Sequence, residues 1–273
     1  MDQQEPKAAV VGWPARHSLS PLIMKSWLDE TAQSGDYSII ECPPESFEQT
    51  VRRRLENGFV GVNVTAPHKQ AALKLADHVS PSAKAIGAAN VLHQSRDGLY
   101  ADNTDLVGVA HALEPDSGQG AAVLIGAGGA ARAALHHLKN RTGPVRILNR
   151  TRAHAERVCA ELGVQASVHT YDDPAVFSDV GLVINASTLG MRNHPELDVD
   201  LSACRSDALV FDMVYTPLNT GFLRQAQTLG LRTSDGLRML IGQARPAFES
   251  FFGAPAPDHD DVRNILLAHL EAG

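Results

Sequence analysis

Short apolar runs separated by amphipathic stretches recur along the whole chain, a pattern that predicts alternating strands and helices. Ala8 to Gly12 reads as a strand, Leu19 to Gln33 as a helix, Tyr37 to Glu41 as a second strand, and Pro44 to Glu56 as a helix that proline can open. Phe59 to Val64 is a third strand, followed by a helix from Pro67 to about Asp77. Ala89 to His93 and Leu99 to Ala101 are short strands, with Asp97-Gly98 as the hairpin turn between them. These hundred residues form an α/β unit in their own right.

The turn-rich segment Glu114 to Gly120 ends this stretch. Beyond it come strands at Ala121 to Ile125, Val145 to Leu148, Ala166 to His169, Gly181 to Ile184 and Ala208 to Phe211. Helices at Ala130 to Lys139 and Arg152 to Leu162 lie between the first of them, the succession of a parallel doubly wound sheet. Leu237 to Phe251 and Asp258 to Leu270 are helical and follow the last strand, placed to pack back on the first unit. The 273 residues suffice for two modest cores.

One glycine-rich turn sharpens the picture. Gly126-Ala127-Gly128-Gly129-Ala130-Ala131 follows the strand AAVLI and opens an apolar helix, fitting G-x-G-x-x-A in the context that makes the pattern meaningful. Gly126 permits the tight turn, Gly128 the approach of a pyrophosphate and Ala131 close helix packing, while the helix N-terminus offers amide donors. The next strand ends at Asn149-Arg150-Thr151-Arg152, where an NAD site places an acidic residue. No acid stands there. Arg150, Arg152 and the Thr151 hydroxyl suit a ribose 2'-phosphate, which favours NADP; alternatively Thr151 caps the following helix and the arginines face solvent.

Polar clusters outside this unit add chemistry. Ser18 and Ser20 lie just ahead of a helix, where Ser20 before Pro21 is placed to cap it or the pair to grip a carboxylate or vicinal hydroxyls. Asn63, Thr65 and Lys69 follow a strand end, the edge at which parallel sheets bind ligands. Asn90 and the run Asp102-Asn103-Thr104-Asp105 add amides and carboxylates. Oxidising a secondary alcohol needs a group that takes the hydroxyl proton, and Lys69 beside Asp105 is the favoured pair, with His17 and His68 as alternatives.

Composition narrows the partners. A formal charge of -7 gives no reason to expect nucleic acid. Cys42, Cys159 and Cys204 form no CxxC pair, which suggests neither a disulfide framework nor a metal site. The acidic N-terminus is no secretory signal, and no run approaches the roughly 18 apolar residues of a membrane span. A cytoplasmic enzyme, monomer or homodimer, with a small-molecule partner and no membrane contact is expected.

Across nearly the whole chain these motifs resemble the shikimate dehydrogenase family. The matching pieces are GWPARHSLSPLI at 12–23, NVTAPHK at 63–69, GAAN at 87–90, DNTDLVG at 102–108, GAGGAARA at 126–133, NRT at 149–151, NASTLGM at 185–191, DMVYTPLNT at 212–220 and MLIGQA at 239–244. The resemblance implies a substrate-binding catalytic domain at 1–104 completed by 237–273, and a Rossmann-type NADP domain at 105–236. It implies Lys69 and Asp105 as the catalytic pair, and Ser18, Ser20 and Tyr215 as holders of the substrate carboxylate. Thr65, Asn90 and Gln243 would contact substrate hydroxyls or the carboxylate region, with Met213 and Gly236 on the nicotinamide side. The implied reaction is reversible reduction of 3-dehydroshikimate by NADPH. Where the family continues the serine motif with His-Asn, this chain has Met24-Lys25, and NASTLGM lacks the usual proline. A paralogue acting on quinate or an aminoshikimate-like acid, and a non-catalytic dinucleotide-binding regulator, are the alternatives.

Overall fold

The computed structural model describes residues 5–272, in two units: one runs through Asp105 and resumes at Gln243, and the other spans Leu106–Gly242. The N-terminal segment read as unlike a secretory leader begins in residues 1–4, outside the described residues.

The first unit alternates β1 (Lys7–Gly12), α1 (Ser20–Glu30), β2 (Asp36–Glu41), α2 (Phe47–Glu56), β3 (Phe59–Val64), α3 (Lys69–Leu75), β4 (His78–Val79), α4 (Pro81–Ile86), β5 (Val91–Ser95) and β6 (Gly98–Asp102). Its sheet has the order β2-β1-β3-β5-β6-β4. β1 runs parallel to β2 and β3, whereas β5 is antiparallel to β3 and β6. One face buries Ala9, Val11, Val62, Val64 and Leu92, the alternation that a pleated strand imposes on its side chains. C-terminal residues complete this unit: Phe248 meets Trp27 edge to face at 5.7 Å, and Phe251 lies beside Tyr37.

Three local expectations change. Ser95 pairs with Gly98, so the hairpin turn is Arg96-Asp97 and Gly98 already belongs to β6; the Ser95 hydroxyl closes the turn by accepting from Asp97 N–H and donating to Gly98 carbonyl. Pro44–Ser46 is a separate 3-10 turn ahead of α2. Ser20 does not cap α1: Leu19 holds the N-cap position and no side chain bonds there.

The second unit continues with α5 (Asp105–Leu113), β7 (Ala121–Ile125), α6 (Gly129–Leu138), β8 (Val145–Leu148), α7 (Arg152–Leu162), β9 (Ser167–His169), β10 (Val180–Asn185), β11 (Leu209–Asp212), α8 (Gly221–Thr228) and β12 (Arg232–Ser234). α9 (Gly236–Phe252) carries the chain back into the first unit, to which α10 (Val262–Ala272) belongs. All six strands are parallel, in the order β12-β11-β10-β7-β8-β9. This is the doubly wound order of a Rossmann-type sheet, whose direction of winding reverses between β7 and β10. Every residue of β7, β10 and β11 is buried, as expected of strands covered by helices on both faces.

Candidate active site

In the first unit the ends of β3 and β6 and the start of α3 deliver the polar residues to one place. Lys69 opens α3 and its Nζ donates to Asp105 Oδ2 at 2.6 Å; the two side chains are only 13% and 5% exposed. Lys69 is also tied through its backbone, since its carbonyl accepts from Ala89 N–H. The other Asp105 oxygen accepts from Asn90 Nδ2 at 2.9 Å. Asn90 Nδ2 also approaches Thr104 Oγ1 and Gln243 Oε1, and Asn90 Oδ1 accepts from Thr104 N–H at 2.7 Å. Lys69, Asp105, Asn90 and Gln243, four of the residues expected from sequence, therefore form one hydrogen-bonded cluster.

The serines form a neighbouring piece. Ser18 Oγ accepts from Ser20 N–H and lies 3.2 Å from Ser20 Oγ. Thr65 is half-buried just past β3, its N–H bonded to Val11 carbonyl. His17 is exposed. His68 is structural: it is buried, stacked on Phe47 at 4.6 Å and bonded to Cys42 carbonyl, and burial holds its pKa down.

Two residues of this region have roles that sequence reading did not assign. Tyr37 donates to Asn63 Oδ1 at 2.6 Å and hydrogen-bonds with Ser20, and burial pushes its phenol far above the usual range. Asn103 accepts Asp105 N–H on its side-chain oxygen and donates to Ala88 carbonyl, which fixes the turn that presents Asp105. A tyrosine at the head of the strand run YSII was the available signal for the first.

In the second unit the glycine-rich turn joins β7 to α6. Gly126 has φ +103°, and a side chain there would press on Ala186 carbonyl, so glycine is required. A Cβ on Gly128 would meet nothing within 4 Å. Gly128 is the N-cap of α6, no side chain caps it, and no acid lies in the first turn. Ala127 is buried, whereas Gly129 and Ala130 are half-buried. An open approach to an uncapped helix N-terminus fits a phosphate group. Asn149 Nδ2 bonds Thr151 carbonyl, and Arg150, Thr151 and Arg152 are all exposed. Thr151 stands at the N-cap position of α7, but its hydroxyl makes no cap bond. Met213 and Tyr215 follow β11. Gly236 packs so closely under Met213 and Val214 carbonyls that a Cβ would lie 2.5 Å from the first.

A fully buried carboxylate holds this end of the second unit together. Asp212 Oδ1 accepts from Asn185 Nδ2 at 2.9 Å and Val214 N–H at 3.0 Å, and Oδ2 accepts from Thr220 at 2.6 Å. Burial outweighs these bonds and pushes its pKa up to about 6.

The parallel sheet with its glycine turn, in one chain with a unit that buries a lysine–carboxylate pair, defines a two-domain α/β dehydrogenase with a Rossmann-type nucleotide unit. Residues 10–92 match the family described as the shikimate dehydrogenase substrate binding domain, and residues 109–193 the family described as shikimate / quinate 5-dehydrogenase. The chain belongs to the shikimate dehydrogenase family. It is 43% identical to a shikimate dehydrogenase (NADP(+)) from Methylobacterium radiotolerans, over 99% of both chains. Shikimate 5-dehydrogenase from Thermus thermophilus, solved with NADP(H) and shikimate, is 31% identical with a TM-score of 0.85 and covers 98% of this chain and 100% of its own. Quinate dehydrogenase from Corynebacterium glutamicum, solved with NAD, is 28% identical with a TM-score of 0.84, over 98% and 99%.

The raised Asp212 pKa has a defined sign. Relative to an unfolded carboxyl near 3.8, the protonated form favours the folded state; that contribution is complete below about pH 4 and is lost as pH rises through about 6. Denaturant unfolding of wild type and Asp212→Asn between pH 4 and 7.5 should show wild type losing about 3 kcal/mol relative to the variant across that window, then running parallel. A difference that does not change with pH would contradict the assignment.

Proposed function

We infer that this chain is an NADP-dependent shikimate dehydrogenase, catalysing the reversible reduction of 3-dehydroshikimate to shikimate in aromatic amino acid biosynthesis. The observation that carries the reading is the buried Lys69–Asp105 pair with Asn90 and Gln243 around it, in a chain whose relatives along its full length are named for this activity.

Each residue has a task. The bound nicotinamide supplies or accepts the hydride. Lys69 Nζ gives the proton to the developing alkoxide in reduction and withdraws it in oxidation, and its positive charge stabilises that oxygen. Asp105 keeps Lys69 oriented and accepts a substrate hydroxyl on the oxygen shared with Asn90. Ser18 and Ser20, with Tyr215, hold the substrate carboxylate, while Thr65, Asn90 and Gln243 read the ring hydroxyls. Gly126, Ala127, Gly128, Gly129 and Ala130 would hold the pyrophosphate through their backbone amides. Asn149, Arg150, Thr151 and Arg152 would hold the adenosine ribose and its 2'-phosphate, and Met213 and Gly236 would border the nicotinamide. Substrate binding belongs to residues 1–104 with 237–273, and nucleotide binding to 105–236. Among the described residues no helix is long and apolar enough to cross a membrane, and the three cysteines are free; we assign the enzyme to the cytoplasm, as a monomer or homodimer.

Quinate is the second reading, favoured by Met24-Lys25 and by the quinate dehydrogenase among the structural neighbours. Met24 is fully buried in α1, which suits a packing role for that change.

A steady-state assay crossing NADP and NAD with shikimate and quinate should give the highest kcat/KM for NADP with shikimate. Highest efficiency with quinate would move the enzyme to the sister activity, and no turnover with either acid would defeat the reading. Arg150→Ala should raise KM for NADP roughly ten-fold or more while leaving NAD nearly unchanged; equal effects on both would contradict the 2'-phosphate role.

A further inference from the structure

The parallel sheet of the second unit puts the ends of β7, β8 and β9 side by side. The pyrophosphate position follows β7 at Gly128, and the 2'-phosphate position follows β8 at Arg150. The adenosine half of a dinucleotide thus runs from β7 towards β8, and its base must lie beyond the ribose, outside the ends of β8 and β9. Leu148 pairs with His169, so Arg150 and Tyr171 occupy equivalent places, each two residues past its strand. Tyr171 is 39% exposed and is the one exposed phenylalanine, tyrosine or tryptophan among the described residues of this unit. The register of β8 and β9 thus sets the two residues on neighbouring strand ends.

The turn carrying Tyr171 is braced. His169 Nδ1 lies 2.7 Å from Asp173 Oδ2, and its Nε2 lies 2.7 Å from Ser167 Oγ. Asp173 N–H donates to Thr170 carbonyl, and Asp173 Oδ1 accepts from Ala175 N–H. A partly exposed aromatic ring on a loop fixed at four points is a preorganised stacking surface, and a flat base gains from it whatever its hydrogen-bonding edge.

We propose that the Tyr171 ring is the platform on which the adenine of the dinucleotide stacks, with the Arg150 guanidinium beside it at the ribose phosphate. This rests on the dinucleotide reading above and adds the residue that holds the base. Tyr171 touches no reacting atom and acts on nucleotide affinity alone.

Isothermal titration calorimetry of the full-length protein with NADP+, 2',5'-ADP and nicotinamide mononucleotide tests it. Tyr171→Ala should weaken both NADP+ and 2',5'-ADP about ten-fold, Tyr171→Phe should bind like wild type because the ring is kept, and the mononucleotide should respond equally to all three proteins. Because Tyr171 is exposed, the unliganded variants should melt with wild type, which separates lost stacking from lost folding. Wild-type affinity of Tyr171→Ala for 2',5'-ADP would overturn the platform while leaving the dinucleotide reading intact. Failure of the wild-type protein to bind either NADP+ or 2',5'-ADP would overturn both.

Discussion

A lysine ammonium and a carboxylate held 2.6 Å apart and nearly out of water form the constraint around which the first unit is arranged. Removing two charges from water is costly, and the pair persists only if its remaining bonding capacity is met by fixed partners. Asn90 meets one Asp105 oxygen, and Asn103 holds the Asp105 amide. The helix dipole adds an asymmetry. Asp105 opens α5, where a negative charge is welcome, whereas Lys69 opens α3, where a positive charge is not. The charge on Lys69 therefore leans on Asp105, and losing either partner leaves the other buried and uncompensated.

The second unit solves a different problem with a different buried acid. Asp212 draws three segments together at the carboxyl ends of β10 and β11: the loop after Asn185, the Val214 stretch and the N-terminus of α8 through Thr220. It is a positioning residue for the loops that follow β10 and β11. On the other side of the switch point, glycines and exposed arginines leave the surface open. One half of the strand ends is thus tied by a buried hub and the other left open to solvent.

Much of this was legible in the chain because the relevant signals are local. The β7 run, the glycines behind it and the apolar helix after them occupy consecutive residues, so pattern and structure coincide. The boundaries of the Arg96-Asp97 hairpin and the α1 cap were misread because Gly98 and Ser20 resemble turn and cap residues, and pairing and packing decide otherwise. β4 and β12 have two and three residues, too few to show a period. Tyr37 and Asp212 escaped notice because their partners Asn63 and Asn185 lie 26 and 27 residues away in sequence, and only the sheet brings them together. The Lys69–Asp105 pair spans 36 residues and was recognisable only because both ends sit in distinctive motifs.

The claim that Lys69 and Asp105 work as one unit is tested most directly by a double-mutant cycle on kcat/KM with Lys69→Ala, Asp105→Ala and the double variant, each checked for folding. If the two are coupled as the geometry requires, either single substitution removes most of the activity, on the order of 10²-fold or more, and the second adds little. Losses that multiply in the double variant would mean two independent residues and would contradict the account.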